Sequence, residues 1–148
     1  MPLLKTLALI SFYSYVAALF VLGTAGLFAP NQELTALYSV RFDATGADPM
    51  DQRDQLVLLH QYRFLKGLAI GFGIFCVTFR REILAGGTHA RVFLATLFLG
   101  TFGRLVSAWI DGRPPKWLIS FTFSELIFGL LILAYVQAVR RIGAPAAG

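Results

Sequence analysis

Four long apolar stretches alternate with polar connections along the chain, at about residues 6–28, 57–79, 92–110 and 117–138. Each approaches the roughly 20 residues with which a helix crosses a hydrocarbon core about 30 Å thick. The pattern predicts an all-α integral membrane four-helix bundle, one transmembrane domain over residues 1–148 with a flexible tail at 139–148. The third stretch is the most informative. At 100° per residue, Thr96, Gly100, Gly103, Arg104, Ser107 and Asp111 share one face, while Leu, Phe, Val and Trp fill the rest. A spanning helix of this kind turns its polar stripe toward partner helices and its apolar remainder toward lipid.

The connections differ in character. Residues 31–56 form the one long loop, and within it ELTALYSVRF reads as a short amphipathic piece lying at the interface. ATGADP after it reads as a turn. Five acidic residues against two basic ones give this loop a net charge of −3, but Asp43, Asp48, Asp51 and Asp54 lack the spacing of a calcium loop. No metal site and no cofactor is expected. The second connection contains Gly86-Gly87, and DGRPP makes a tight turn between the third and fourth stretches. The first apolar run is too long for the core of a cleaved signal peptide and is taken as a span. Its seam of Ser11, Ser14, Tyr15, Ala18, Leu22 and Gly26 suits close helix packing, as do Gly67, Gly71, Gly100 and Gly103 in later spans.

Composition strengthens the membrane reading. Of the 148 residues, 57% are hydrophobic and 14% charged, against about 25% charged in a soluble domain; the mean hydropathy is +0.68. The lone Cys76 excludes a disulfide framework and a cysteine-based metal motif. The formal charge of +5 does not point to nucleic acid, because three basic groups lie inside spans and the others flank them. Lys5, the Arg80–Arg91 cluster and Arg140-Arg141 fall on one side under alternating crossings. Positive-inside bias then puts both termini in the cytoplasm and the long loop outside.

Charges within the spans carry the candidate chemistry. From a rise of about 1.5 Å per residue, Arg63 and Arg104 lie roughly 9 Å inside the outer boundary, and Glu125 roughly 12 Å. Three charges on three helices thus reach similar depth, which predicts an internal cluster with Glu125 between Arg104 and Arg63. Lys66 lies about 4–5 Å deeper than Arg63. Asp111 could balance part of the positive charge at the mouth, near His60. The surplus of positive charge admits three explanations: a deprotonated Lys66, water entering from outside, or an anionic group held in the bundle. No nucleophile–base pair is legible, since Ser107, Ser124 and Cys76 have no histidine at their depth.

Arg63 with Gly67 and Gly71, then Gly103-Arg104, Asp111-Gly112-x-Pro114 and Glu125 carry a resemblance. Together they resemble a bacterial family of small four-helix inner-membrane proteins of unknown function, distantly DoxX-like. The resemblance covers about residues 6–138, and GRLVSAWIDGRPPKWLISFTFSEL is its most specific part. It implies a four-span bundle in the bacterial inner membrane, with Arg63, Arg104, Asp111 and Glu125 in a polar core. Lys66 maps to no family position, and no activity comes with the likeness.

Two functional readings follow. One is an accessory or structural subunit of a larger membrane complex, or a homo-oligomer, held together by the internal Arg/Glu cluster. The other is a binding protein, carrier or enzyme for an anionic lipid or small amphiphile, with a cationic chamber in the outer half of the membrane. Membrane lipids are expected partners in either case, and nucleic acid in neither.

Overall fold

In the computed structural model, which describes residues 1–38, 49–112 and 114–143, the described residues form six helices. They are α1 (Pro2–Phe28), α2 (Pro30–Tyr38), α3 (Pro49–Thr78), α4 (Arg80–Ala85), α5 (Thr88–Ile110) and α6 (Lys116–Gly143). Among the described residues, three helices are long and apolar enough to cross a membrane: α1, α5 and α6. The fold is therefore all-α, but it is not the four-span bundle that the sequence pattern predicts.

The difference lies in α3. Its uncharged run between Lys66 and Arg80 covers only residues 67–79, well short of the roughly 20 needed to span. Extending it draws in Lys66, Arg63 and His60, and each cation costs about 2.5–3.5 kcal/mol at a helix centre. Three crossings, unlike four, do not put both termini on the cytoplasmic side. The long connection after α1 is also partly helical. Pro30 ends one helix and begins the next, because its fixed φ suits a first turn and its missing N–H cannot serve an interior one. The Ala29 carbonyl accepts from Glu33 N at 3.1 Å and so bridges the two helices. The ATGADP turn and the last five residues of the expected tail lie outside the described residues, while residues 139–143 continue α6.

The chain divides into two compact units. One comprises residues 1–16 and 76–148, so the start of α1 joins the end of α3, α4, α5 and α6. Phe12, Cys76, Ile83, Ala90, Phe93, Ile132 and Val136 are among its buried apolar core residues. Phe93 meets Phe12 at 5.5 Å and stands edge-on to Tyr15 at 5.9 Å between ring centroids.

Within this unit, α5 and α6 pack antiparallel on a coiled-coil-like seam. On α5 the seam is Ala90, Leu94, Leu97, Thr101, Arg104 and Ala108; on α6 it is Leu118, Thr122, Glu125, Gly129, Ile132 and Val136. Both alternate steps of four and three, which keeps one stripe facing the partner helix. Every one of these residues is buried or half-buried. A Cβ on Gly129 would sit 2.8 Å from Leu97 Cδ2 and Phe98 Cε1, so glycine sets how closely the helices approach.

The turn between α4 and α5 is closed by backbone and side chain together. Gly86 adopts φ +86°, its N–H donates to Ile83 O at 3.2 Å, and Gly87 N–H donates to Glu82 O at 3.3 Å. This paired arrangement satisfies carbonyls that a helix end otherwise leaves open. From α6, Arg140 Nε donates to Gly86 O at 2.5 Å and Nη2 to Gly87 O at 3.4 Å.

The other unit, residues 17–75, joins the second half of α1, α2 and most of α3. Here α1 and α3 meet through glycines: a Cβ on Gly23 would lie 2.8 Å from Ile70 Cγ1, and one on Gly73 would lie 3.2 Å from the Phe20 ring.

Candidate functional site

Among the described residues, two ion pairs organise the polar side chains, one in each unit. In the α5–α6 unit, Arg104 and Glu125 both occupy positions on a seam whose other members are apolar, small or threonine. Arg104 Nη2 donates to Glu125 Oε1 at 3.4 Å, with side-chain exposures of 35% and 11%. The guanidinium also lies over the Phe121 ring, 4.9 Å from its centroid, a placement that favours a cation electrostatically. A carboxylate alone at so buried a position would be expelled or neutralised, and the facing guanidinium offsets that cost.

In the α1–α3 unit, Lys66 Nζ donates to Glu33 Oε1 at 2.7 Å, with side-chain exposures of 15% and 5%. Lys66 also stands 4.8 Å from the centroid of Tyr62, four residues earlier on the same helix. Gly26 gives the pair its room, since a Cβ there would collide with Glu33 Oε2 and Lys66 Cε. Glu33 is the functional candidate that sequence reading missed, because its stretch reads as a short amphipathic piece at the interface within the long loop. A signal was present: Pro30 followed by Glu33 within the same first turn marks a helix start.

The remaining expected residues fall elsewhere. Arg63 and His60 are exposed on α3, and Arg63 has no carboxylate within ion-pair distance among the described residues. Asp111 follows the last residue of α5, where its N–H donates to Ser107 O at 2.7 Å and its carboxylate accepts from the Ser107 hydroxyl at 2.7 Å. It thereby closes a helix end. A Cβ at Gly67, Gly71, Gly100 or Gly103 would meet no atom within 4 Å among the described residues. The close approaches fall instead on Gly23, Gly26, Gly73 and Gly129.

At the turn end of the α5–α6 seam a cleft of about 380 Å³ opens, with Arg104 on its wall. It exists because the seam carries small residues there, Ala108 on α5 with Ser107 beside it and Gly112 beyond. Leu105, Leu118, Ile119 and Phe123 give it an apolar lining. The hydroxyls of Thr101 and Thr122 donate to Leu97 O and Leu118 O, at 3.1 Å and 2.8 Å. No group of histidine, cysteine and carboxylate side chains is arranged to hold a metal ion among the described residues.

The chain matches no curated protein and no solved structure at a significant level. Residues 7–136, nearly all of α1 through most of α6, match the model of the family described as Domain of unknown function (DUF4345), and the chain belongs to that family.

Proposed function

We propose that the protein is a non-catalytic, structural component of a bacterial inner membrane, an accessory subunit that seats against other membrane proteins or further copies of itself. The observation that carries this reading is the pairing of Arg104 with Glu125 on the α5–α6 seam. A polar pair at a core-type position disfavours every register in which one member would lose its partner, so it acts on helix order. Glu33 plays the same part toward Lys66.

The outward faces support a seated component. Trp109, Ile110, Phe28 and Leu99 are among many large apolar side chains left exposed, and Trp109 is 91% exposed. Lipid or neighbouring helices would cover them. The anionic-ligand reading weakens correspondingly, because it drew on a surplus of positive charge that Glu33 reduces at Lys66. The test is native mass spectrometry of the protein extracted in its own lipid, without detergent. A defined assembly of fixed stoichiometry is expected. A monomer across all extraction conditions would contradict the proposal.

A further inference from the structure

The cleft at the turn end of α5 and α6 holds donors that the ion pair leaves unused. A guanidinium carries five N–H donors in a fixed fork. Among the described residues Arg104 spends one of them, on a 3.4 Å contact with Glu125. The hydroxyls nearby already donate to their own helices. Arg104 is therefore the donor that an occupant of the cleft would meet.

Charge decides what that occupant is. Glu125 cancels the charge of Arg104 across the seam. A second anion would bring an uncompensated negative charge beside a buried carboxylate and against an apolar wall, which is costly. A neutral acceptor fills the open donors without that cost. Size narrows the choice further, since about 380 Å³ lies at the lower end of the roughly 300–1,000 Å³ of ligand pockets. That volume suits one apolar chain rather than a two-chain lipid.

We propose that this cleft binds a neutral, single-chain amphiphile bearing a carbonyl group, an ester or amide. Its carbonyl oxygen accepts from Arg104, and its chain lies against Leu105, Leu118, Ile119 and Phe123.

The test compares three probes of one chain length on the purified full chain by native mass spectrometry: methyl dodecanoate, dodecanoate and dodecane. Methyl dodecanoate should give a saturable one-to-one adduct. The other two should bind about tenfold or more weakly, the loss expected when a charged donor goes unanswered or an anion is forced in. Ala108→Phe fills the cleft while keeping both members of the ion pair, and should abolish the adduct in the folded variant. Arg104→Lys should narrow the preference for the ester over dodecane. The ranking on the unaltered protein stands by itself should Ala108→Phe fail to fold. Equal binding of dodecane, preference for dodecanoate, no saturable adduct with any probe, or an adduct undiminished in folded Ala108→Phe would each overturn the proposal.

Discussion

Arg104 Nη2 and Glu125 Oε1 stand 3.4 Å apart across the seam where α5 and α6 meet. The two residues are separated by a tight turn in sequence, and equal depth on antiparallel helices is what brings them together. Glu125→Gln keeps the shape and removes the charge, which strands a partly buried guanidinium. The expected loss is on the order of 2 kcal/mol, the worth of a hydrogen bond to a charged group. Unfolding of the detergent-solubilised protein measures it, and a midpoint equal to that of the unaltered chain would show that the pair does not hold the seam.

Gly86 and Gly112 both adopt positive φ, +86° and +98°, yet they should not respond alike to alanine. Each change carries a left-handed strain of about 1–2 kcal/mol. At Gly86 the new Cβ would also press on Arg140 Nε at 3.0 Å and Val136 Cγ1 at 3.1 Å, whereas at Gly112 it meets nothing within 4 Å among the described residues. Gly86→Ala should therefore lower the unfolding midpoint further than Gly112→Ala. Equal effects would mean that the Arg140 clamp on the α4–α5 turn is slack.

Much of the α5–α6 unit was legible in the sequence. The expected spans at 92–110 and 117–138 fall within α5 and α6, but the polar stripe does not face the partner helix as expected. Thr96, Gly100, Gly103, Ser107 and Asp111 are exposed, Arg104 alone of that face lies on the seam, and the buried side of α5 is mostly apolar. Helix rise alone sufficed to set Arg104 level with Glu125, because a short turn fixes the register of two neighbours. The α1–α3 unit was not legible in the same way. Lys66 and Glu33 lie thirty-three residues apart, and no local pattern says which distant carboxylate folds back onto a buried cation. Hydropathy also overstated α3, where apolar residues at one end compensated on paper for cations that physically sit elsewhere along the helix. Small-residue spacing marked Gly67 and Gly71 as a seam, but spacing does not reveal which face of a helix has a neighbour.

That last difference is itself testable. Gly26→Ala places a Cβ against the Lys66–Glu33 pair and should cost about 1–3 kcal/mol through overpacking. Gly67→Ala enters open space on an exposed helix face and should stabilise α3 by about 0.5–1 kcal/mol. Comparing the two unfolding midpoints checks the location of the contact. Loss of stability at Gly67 with tolerance at Gly26 would reverse it.

Cys76 is fully buried in the unit formed by the start of α1, the end of α3, and α4, α5 and α6. A maleimide should therefore label it only as that unit opens. The rate of labelling should rise in step with loss of helical signal on heating. Rapid labelling of the folded protein would place Cys76 at the surface and undo the core built around Phe12, Ile83 and Phe93.

The most direct measurement of charge pairing within the chain is a double-mutant cycle on Glu33 and Lys66, read by unfolding in detergent. Glu33→Gln strands a buried cation and should cost about 3–5 kcal/mol. Lys66→Met should cost a comparable amount by leaving the carboxylate alone. The double variant removes both charges together and should recover most of either loss, so the coupling between the sites is large. If the two single losses simply add, the buried charges are not paired and the polar interior described here is wrong.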